Sequence, residues 1–402
     1  MAHILFLSWW WPYPADNGSK QRIYNLLRHL AREHRVTLLS FAETEDAAPE
    51  RIEHLRGFCA HVEALPKPTY NPGALKALLG YFSRWPRSLV DVYSPAMAER
   101  AAAAAGGSPP VDVVIASEIQ TMRYLSVLPH LPAVLETPEI TSFYDHVNRA
   151  AGWSGRLRAW LTLGKLQNAL RRCMQRGAVL TVVSETERDY IRAFAPAGAR
   201  IEVIPNGIDT EVNRPNPMIE PEPYTLIYTG AVTYHANYDA VDYFIREVWP
   251  LIRARTPKAR FVITGGTGKV NVSHLAGQPG VTFAGYLPEI APAVQKSWLV
   301  VVPLRVGSGT RLKILEAMAL GVPVVSTRKG VEGLNVHPGE DILIADTPAQ
   351  MVETICQLFE DGERRARLAE AGRALVEREY DWGVITHHLL NVIESVGPSG
   401  RG

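Results

Sequence analysis

The sequence predicts an α/β fold with two domains, each built on a doubly wound parallel sheet. Short apolar strands alternate with amphipathic helices twice along the 402 residues. A stretch rich in proline and acidic residues, 206–223, separates the two series. In the second series, a glycine-rich turn joins an apolar strand to a short helix and a further strand, as in half of a doubly wound unit. The length suits two globular domains, each with its own core.

The first series begins with a strand, Ile4–Ser8, followed by an amphipathic helix over about Gln21–Glu33 and a strand at Arg35–Ser40. This order is that of a βαβ unit. Further apolar runs predict strands at Val111–Ala116, Ala133–Leu135, Val179–Val183 and 201–205. We therefore predict a first domain over residues 1–205, followed by a linker over 206–223.

The second series predicts a second domain over residues 224–379. Its apolar runs predict strands at Thr225–Thr229, Phe261–Thr264, Val281–Ala284, Leu299–Val302 and Val322–Ser326. A charged helical region, 361–379, follows them. We expect the last helix, 380–396, to pack back on the first domain, and the two domains to face each other across a central cleft.

Bulk composition excludes several classes of protein. The formal net charge is +1, which argues against a dedicated nucleic-acid binder. Three cysteines without close spacing indicate a reducing compartment and no structural zinc site, and no DxD pair is present to hold Mg²⁺. We therefore expect a cytoplasmic protein that needs no metal and no cofactor besides its co-substrate.

The segment between residues 303 and 327, which contains a glycine-rich turn, predicts a site for a phosphate-bearing small molecule. Gly307 and Gly309 lie at the carboxyl end of a strand, where doubly wound sheets bind ligands. A helix beginning in that turn offers free backbone N–H groups to a phosphate. Arg311 and Lys313 add two cations in the first turns of the predicted helix.

On that helix, Lys313 and Glu316 are three residues apart and point in similar directions. Leu312, Leu315 and Ala319 fall on another face and are expected to bury against the sheet. Glu316 is then placed to accept hydrogen bonds from ribose hydroxyls, while Lys313 neutralises a departing diphosphate. The alternative is an ordinary surface Lys–Glu pair, which contributes about 0.3 kcal/mol.

These motifs resemble the C-terminal signature of family 4 glycosyltransferases, retaining enzymes of the GT-B fold with two Rossmann-like domains. The blocks IEVIPNGIDTE, YTGAVTYHANYDAVDYF and VTFAGYLPEIAPAVQKSWLVVVPLR occur in the family's order. The resemblance covers about residues 180–395 closely and the first domain in general terms. It implies transfer of a sugar from a nucleotide-diphosphate donor to an acceptor that is a glycan, glycolipid or small molecule.

The resemblance also implies roles for individual residues. Arg311, Lys313 and Glu316 are expected to be catalytic, with Glu316 holding the ribose. On the acceptor side, Gly18 and Ser19 resemble the family's glycine loop. Donor contacts are expected at Gly230, Gly285, Tyr286, Gly307, Ser308, Gly309 and Thr310.

Three positions depart from the family pattern. The E-x7-E motif needs a carboxylate eight residues before Glu316, where this chain has Ser308. Pro138 occupies the expected place of a first-domain histidine, and the segment VTYHANYD lacks the Arg and Lys common after the first strand of the second domain. The chain resembles a subgroup with G-x-G-T-R-x-K, in which Arg311 and Lys313 supply the charge from the helix.

Three features in the first domain have two interpretations each. Gly18-Ser19 is either a ligand-contacting loop or a tight turn that caps a helix. Trp9, Trp10 and Trp11 either contact a sugar or lipid, or belong to the core. The segment Arg149–Arg176 carries seven Arg and Lys residues and no Asp or Glu. It is either a peripheral contact with an anionic membrane or a solvated basic helix face.

Two further classes of function remain open from the sequence. One is a GT-B epimerase or phosphorylase, and the other is a non-catalytic protein that binds sugar nucleotides. The sequence does not identify the donor sugar, its base, the acceptor or the linkage.

Overall fold

The structure is a computed structural model that describes residues 1–268, 270–307 and 311–397. The chain divides into two compact units. One contains Met1–Pro205 together with the chain from Ile385 onward, and the other contains Asn206–Val384.

The first unit contains a seven-stranded parallel sheet in the order β3-β2-β1-β4-β5-β6-β7. In the centre, Ile4 pairs with Val36 on one side and Val113 on the other. Both faces of these strands are covered by helices, so they are apolar along their length. The strands are β1 His3–Ser8, β2 Arg35–Ala42, β3 His61–Pro66, β4 Val113–Ser117, β5 Ala133–Glu136, β6 Val179–Val182 and β7 Ile201–Val203.

Three helices of this unit begin at a side chain that caps them, at Asn17, Ser94 and Ser184. Asn17 caps the first helix by accepting a hydrogen bond from the Lys20 backbone N–H at 3.1 Å. The helices are α1 Gly18–Glu33, α2 Pro49–Arg56, α3 Leu75–Leu79, α4 Arg87–Asp91, α5 Pro95–Ala105, α6 Thr141–Arg149, α7 Gly152–Gln175 and α8 Glu185–Arg192, with a 3₁₀ helix at Met122–Val127.

The second unit contains a six-stranded parallel sheet in the order β10-β9-β8-β11-β12-β13. Its strands are β8 Glu222–Thr229, β9 Arg260–Thr264, β10 Val281–Gly285, β11 Ser297–Val302, β12 Val324–Ser326 and β13 Leu343–Ile344. Its helices are α9 His235–Tyr243, α10 Trp249–Arg255, α11 Ser273–Ala276, α12 Ala291–Gln295, α13 Leu312–Ala319, α14 Pro348–Glu360 and α15 Gly362–Glu379, with a π-helix at Phe244–Val248. The last helix, α16 Trp382–Val396, leads the chain into the first unit.

In each sheet the strand order changes direction beside the strand that comes first in the chain, which is β1 in the first unit and β8 in the second. The first sheet reverses between β1 and β4, and the second between β8 and β11. At such a switch point, the loops after two neighbouring strands diverge and leave a crevice at their carboxyl ends, where doubly wound sheets bind ligands. The predicted donor residues Gly230 and Gly307 follow β8 and β11, and the predicted loop Gly18-Ser19 follows β1.

The predicted α/β fold with two Rossmann-like sheets is confirmed. Two strands were not predicted. The edge strand β3 has only two buried residues among its six, and β13 has only two residues. Several predicted boundaries are wrong by two or three residues: β8 begins at Glu222 and not at Thr225, β12 begins at Val324 and not at Val322, and α1 begins at Gly18 and not near Gln21. Likewise, β4 begins at Val113 and not at Val111. The proline-rich loop before it continues to Asp112, whose carboxylate accepts a hydrogen bond from the His3 backbone N–H at 2.7 Å.

Candidate functional site

A half-buried lysine, whose amine is surrounded by protein atoms, lies at the switch point of the second sheet. The amine of Lys313, on the first turn of α13, donates a hydrogen bond to the Asn237 side-chain oxygen at 3.1 Å. It also lies 4.0 Å from the centroid of the Tyr228 ring, a favourable position for a cation. The Tyr228 hydroxyl donates to the same Asn237 oxygen at 2.7 Å. The amine is therefore held by an amide and an aromatic ring.

Asn237 links this lysine to the loop after β8. Its side-chain N–H₂ donates to the Ala231 carbonyl at 2.8 Å, so one residue joins α9, α13 and the loop. Gly230 precedes that loop with φ at +132°, and a Cβ there would lie 2.9 Å from the Lys313 amine. A residue with a side chain at position 230 would therefore push against the amine.

A second glycine brings the next loop close to the first. Gly265 follows β9 with φ at +103°, and a Cβ there would lie 2.5 Å from the Ala231 backbone nitrogen. No L-residue fits this position without moving the backbone. The loops after β8 and β9 therefore touch backbone to backbone, which fixes the floor of the site.

We expect Gly265→Ala to lower the free energy of unfolding by at least about 2 kcal/mol, because it combines a positive φ with a backbone clash. The matched control is Gly266→Ala, since a Cβ at Gly266 meets open space. Urea unfolding of both variants measures the difference. Equal stability of the two variants would contradict this account of the loop packing.

Arg311 lies just before α13 and is 7% exposed. Burial lowers the pKa of its guanidinium group. The turn at Gly307, where φ is +105°, leaves room for it, since a Cβ there would lie 3.2 Å from a guanidinium nitrogen. Arg311 was predicted to lie in the first turn of the helix. This is wrong, because the helix begins one residue later, at Leu312.

The predicted polar and apolar faces of α13 are only partly correct. Leu315 and Ala319 are buried as expected, whereas Leu312 is half-buried. Ile314, Ala317 and Met318 are buried as well, so the helix is enclosed on most sides. Of the predicted donor residues, Ser308, Gly309 and Thr310 lie outside the described residues.

Lys313 and Glu316 have strongly shifted pKa values. Burial, and then the nearby Arg311 charge, lowers the pKa of Lys313 to about 7. Burial raises the pKa of Glu316 to about 7, although the lysine opposes this shift. Both side chains are half-buried by accessible area yet densely surrounded by protein atoms, and this enclosure explains the size of the shifts. An exposed Lys–Glu ion pair would not show such pKa shifts. They therefore favour a ligand-binding site at Lys313 and Glu316 over an ordinary surface pair.

From these values we expect affinity for a nucleotide-diphosphate sugar to peak near pH 7. Above the Lys313 pKa of about 7 the free protein loses the ammonium charge, so binding requires proton uptake and weakens as pH rises. Below the Glu316 pKa of about 7 the carboxyl is protonated, so its hydrogen bond from the ribose weakens as pH falls.

Isothermal titration calorimetry on both sides of pH 7 measures the loss of affinity at acidic pH and at alkaline pH. A sugar nucleotide is the right ligand because its phosphates are diesters without a pKa near 6. Glu316→Gln removes only the acidic limb and serves as the control. A flat profile in the unsubstituted protein would contradict the assignment of both groups.

The other predicted donor residues of the second unit lie on loops at the same edge of the sheet. Gly285 ends β10 with φ at +70° and has open space where a Cβ would be, and Tyr286 is 77% exposed. His235 begins α9, and its ring lies edge-on to Tyr234 with 4.7 Å between the centroids. Contact of Gly285 and Tyr286 with a nucleotide stays a prediction.

In the first unit, a buried carboxyl group joins the predicted glycine loop. The Glu118 side chain lies beside the side chains of Ser19 and Trp10, which favour its charged form. Burial, and then the charges of Glu139 and Glu136, raises the pKa of Glu118 to about 8. Glu118 has φ at +68°, a strained conformation for a residue other than glycine. Ser19 therefore lies next to a carboxyl group with a raised pKa at the β1–β4 switch point.

Gly18 is the first residue of α1, directly after its Asn17 cap. The capped turn is therefore present, while ligand contact by Gly18 and Ser19 stays a prediction. Trp11 is buried, and Trp9 packs edge-on against Phe41 at 5.2 Å, so both belong to the core. Trp10 is half-buried, and the Lys67 amine lies over its ring, 3.2 Å from the ring centroid. Together with Trp9 it lines an open cavity of about 700 Å³.

Sequence reasoning missed Asn237, Tyr228 and Glu118. A signal for the first two was present, since Tyr228 and Asn237 flank the predicted turn at Gly230. Glu118 follows β4, whose carboxyl end also lies at a switch point. A strand-order prediction would have directed attention to it.

The described residues contain neither a metal-binding cluster nor a membrane-spanning helix. No three side chains of His, Cys, Asp or Glu lie close enough together to hold a metal ion in the part of the chain that the structure covers. Across that same part, every helix is too short or too polar to cross a bilayer. That the reaction needs no metal stays a prediction.

Two family models match this chain. Residues 16–212 match the model described as Glycosyltransferase Family 4, and residues 223–361 match the model described as Glycosyl transferases group 1. Together with the two Rossmann-like parallel sheets, these matches define a GT-B glycosyltransferase. The chain belongs to family 4 of these glycosyltransferases.

Curated relatives include a mannosyltransferase named for a phosphatidylinositol mannoside and a sulfoquinovosyl transferase. A GDP-mannose-dependent alpha-(1-6)-phosphatidylinositol monomannoside mannosyltransferase of Mycobacterium tuberculosis is 26% identical over 58% of this chain. The match spans 66% of that enzyme, just under two thirds of its length. The sulfoquinovosyl transferase of Arabidopsis thaliana is 24% identical over 94% of this chain and 71% of its own.

Solved structures share the fold along the whole chain. Sucrose-phosphate synthase from Thermosynechococcus elongatus aligns with a TM-score of 0.70 at 18% identity, covering 98% of this chain and 99% of its own. Anabaena HepE in complex with UDP aligns with a TM-score of 0.68 at 16% identity, and the alignment covers 98% of this chain and 100% of the HepE chain.

Proposed function

We propose that this protein transfers a sugar from a nucleotide-diphosphate donor to an acceptor hydroxyl, with retention at the anomeric carbon. Arg311 and Lys313 bind the diphosphate and stabilise its departure, and Glu316 accepts hydrogen bonds from the ribose. Membership of the glycosyltransferase family supports the class of reaction, and the geometry at the second switch point supports the residue roles.

The observation that carries this proposal is the buried Lys313 amine. Its partners are the Asn237 amide and the Tyr228 ring, and burial lowers its pKa to about 7. A diphosphate bound beside it would restore the ammonium charge, and the interaction is strong because water is excluded. The same contacts hold the amine in place before the donor arrives, so little reorganisation is needed.

In the proposed reaction, the bond from the anomeric carbon to the β-phosphate oxygen breaks. The acceptor oxygen bonds to that carbon from the same face, and its proton passes to the departing diphosphate. No protein nucleophile is required. The cationic pair lowers the barrier by stabilising negative charge on the diphosphate as it leaves, and we propose that these side chains do so without a metal.

A thermal-shift panel of UDP-, GDP- and ADP-sugars tests the proposal and identifies the donor. A ligand at 100 times its Kd adds about 2.7 kcal/mol of stability, so one base is expected to give a distinct shift. Turnover of that donor with acceptor extracts then separates the classes of function. Conversion without acceptor would indicate an epimerase, and tight binding without any turnover would indicate a non-catalytic binder. No shift with any nucleotide sugar would contradict the proposal.

A further inference from the structure

Exposed apolar side chains cluster in two segments of the first unit. Of the eighteen large apolar side chains exposed in the described residues, nine fall in residues 75–82 and 153–161. The most exposed are Phe82, at 93%, and Trp153, at 81%. The others are Leu75, Leu78, Leu79, Tyr81, Leu157, Trp160 and Leu161. A concentration of this kind marks an interaction surface, since single exposed apolar residues are ordinarily scattered.

The two segments lie side by side. The Lys165 amine on α7 donates hydrogen bonds to the Gly80 carbonyl at 3.1 Å and the Tyr81 carbonyl at 2.8 Å. One helical turn before it, Leu161 is 50% exposed. We call the joint surface of residues 75–87 and 152–176 the basic apolar face.

This face carries positive charge only. Neither segment contains an Asp or Glu. Its cations are Lys76, Arg84, Arg87, Arg156, Arg158, Lys165, Arg171, Arg172 and Arg176. A surface that combines exposed Trp and Phe side chains with cations alone is complementary to the interface of an anionic bilayer.

A pocket in the same face adds a specific feature. Arg84, Arg172 and Arg176 line a cavity of about 60 Å³ whose other walls are mainly apolar, among them Trp85 and Leu125. One terminal nitrogen of Arg172 is buried and has no hydrogen-bond partner among the described residues. Three guanidinium groups around a small cavity match a phosphate group, which accepts paired N–H donors.

We propose that the basic apolar face docks on a bilayer containing anionic lipid, and that the arginine pocket holds the phosphate of one lipid. Phe82, Trp153 and Trp160 enter the interface, while the surrounding arginines lie against the headgroups. This role goes beyond the proposed sugar transfer, because every residue in it belongs to the first unit and lies outside the donor site.

Co-sedimentation of the full chain with vesicles tests the proposal. We expect binding to vesicles of phosphatidylcholine with phosphatidylglycerol, little binding to phosphatidylcholine alone, and weaker binding as salt rises. Arg84→Gln with Arg172→Gln is expected to weaken binding by about fivefold for each arginine. Phe82→Ser with Trp153→Ser is expected to weaken it about tenfold or more.

Matched controls lie in the second unit. Val212→Ser with Met218→Ser removes two exposed apolar side chains, and Arg246→Gln with Arg367→Gln removes two exposed arginines. Thermal unfolding and nucleotide binding of every variant show that the fold and the donor site are intact. Glycerol 3-phosphate in solution is expected to leave vesicle binding in place.

Three outcomes would overturn the proposal. The first is equal binding to neutral and anionic vesicles. The second is equal loss of binding in the test variants and their matched controls. The third is complete release by glycerol 3-phosphate, which would show that the pocket serves a soluble phosphate ester. None of these outcomes bears on sugar transfer, which the nucleotide panel tests separately.

Discussion

Lys313→Met is expected to lower kcat by at least about 100-fold and to remove most of the donor's stabilising effect on the protein. The reason is that the ammonium group stabilises charge that develops on the departing diphosphate, in a site where water does not screen it. Methionine keeps the length of the side chain, so the contact with the Tyr228 ring is largely retained. The loss then reports on charge and not on packing. Steady-state kinetics and thermal shift with the donor measure both effects.

The control for this variant is Lys329→Met in the same unit. Lys329 lies after β12 and pairs with Glu332 at 2.5 Å, and its loss removes one positive charge at the surface. We expect that variant to keep its activity within about twofold, since exposed ion pairs contribute little. Equal activity of Lys313→Met and Lys329→Met would show that the buried amine has no part in binding the diphosphate.

Glu316→Gln is expected to raise KM for the donor about 30-fold, with a smaller effect on kcat. A carboxylate that accepts a hydrogen bond from a ribose hydroxyl contributes about 2 kcal/mol, and this contact is the same before and during the reaction. Glutamine occupies the same volume but carries no charge. The variant therefore removes the charge-assisted part of the contact without opening a cavity.

A deoxyribose ligand identifies the contact directly. The unsubstituted protein is expected to bind a dideoxyribonucleoside diphosphate more weakly than the ribonucleoside diphosphate, whereas Glu316→Gln is expected to distinguish them far less. Glu340→Gln is the control, because Glu340 is exposed in the same unit. If Glu316→Gln discriminated between the two sugars as strongly as the unsubstituted protein, the ribose assignment would be wrong.

The fold was predictable from the sequence because parallel strands covered on both faces are apolar along their length. The runs around Ile4 and Val300 are of this kind, and both lie at the centre of a sheet. Edge strands lack that signal. Only two of the six residues in β3 are buried, because one edge of this strand has no neighbouring strand. Its sequence therefore resembles that of a loop.

The second switch point was predictable only in part. Lys313 was predicted from its distance to a glycine turn, which is a local property of the chain. Its partners Asn237 and Tyr228 lie 76 and 85 positions earlier in the sequence. Their approach depends on the order of strands in the sheet, which local periodicity does not contain. For the same reason, the proximity of Ser19 to Glu118 had no local signal.

The central claim is that the residues around Arg311 and Lys313 form the receptor for a diphosphate. A crystal structure of the protein soaked with UDP or GDP tests it most directly. The account predicts diphosphate density within hydrogen-bonding distance of the Lys313 amine, with the ribose against Glu316. Density for the nucleotide at any other place, with only solvent beside Lys313, would contradict it.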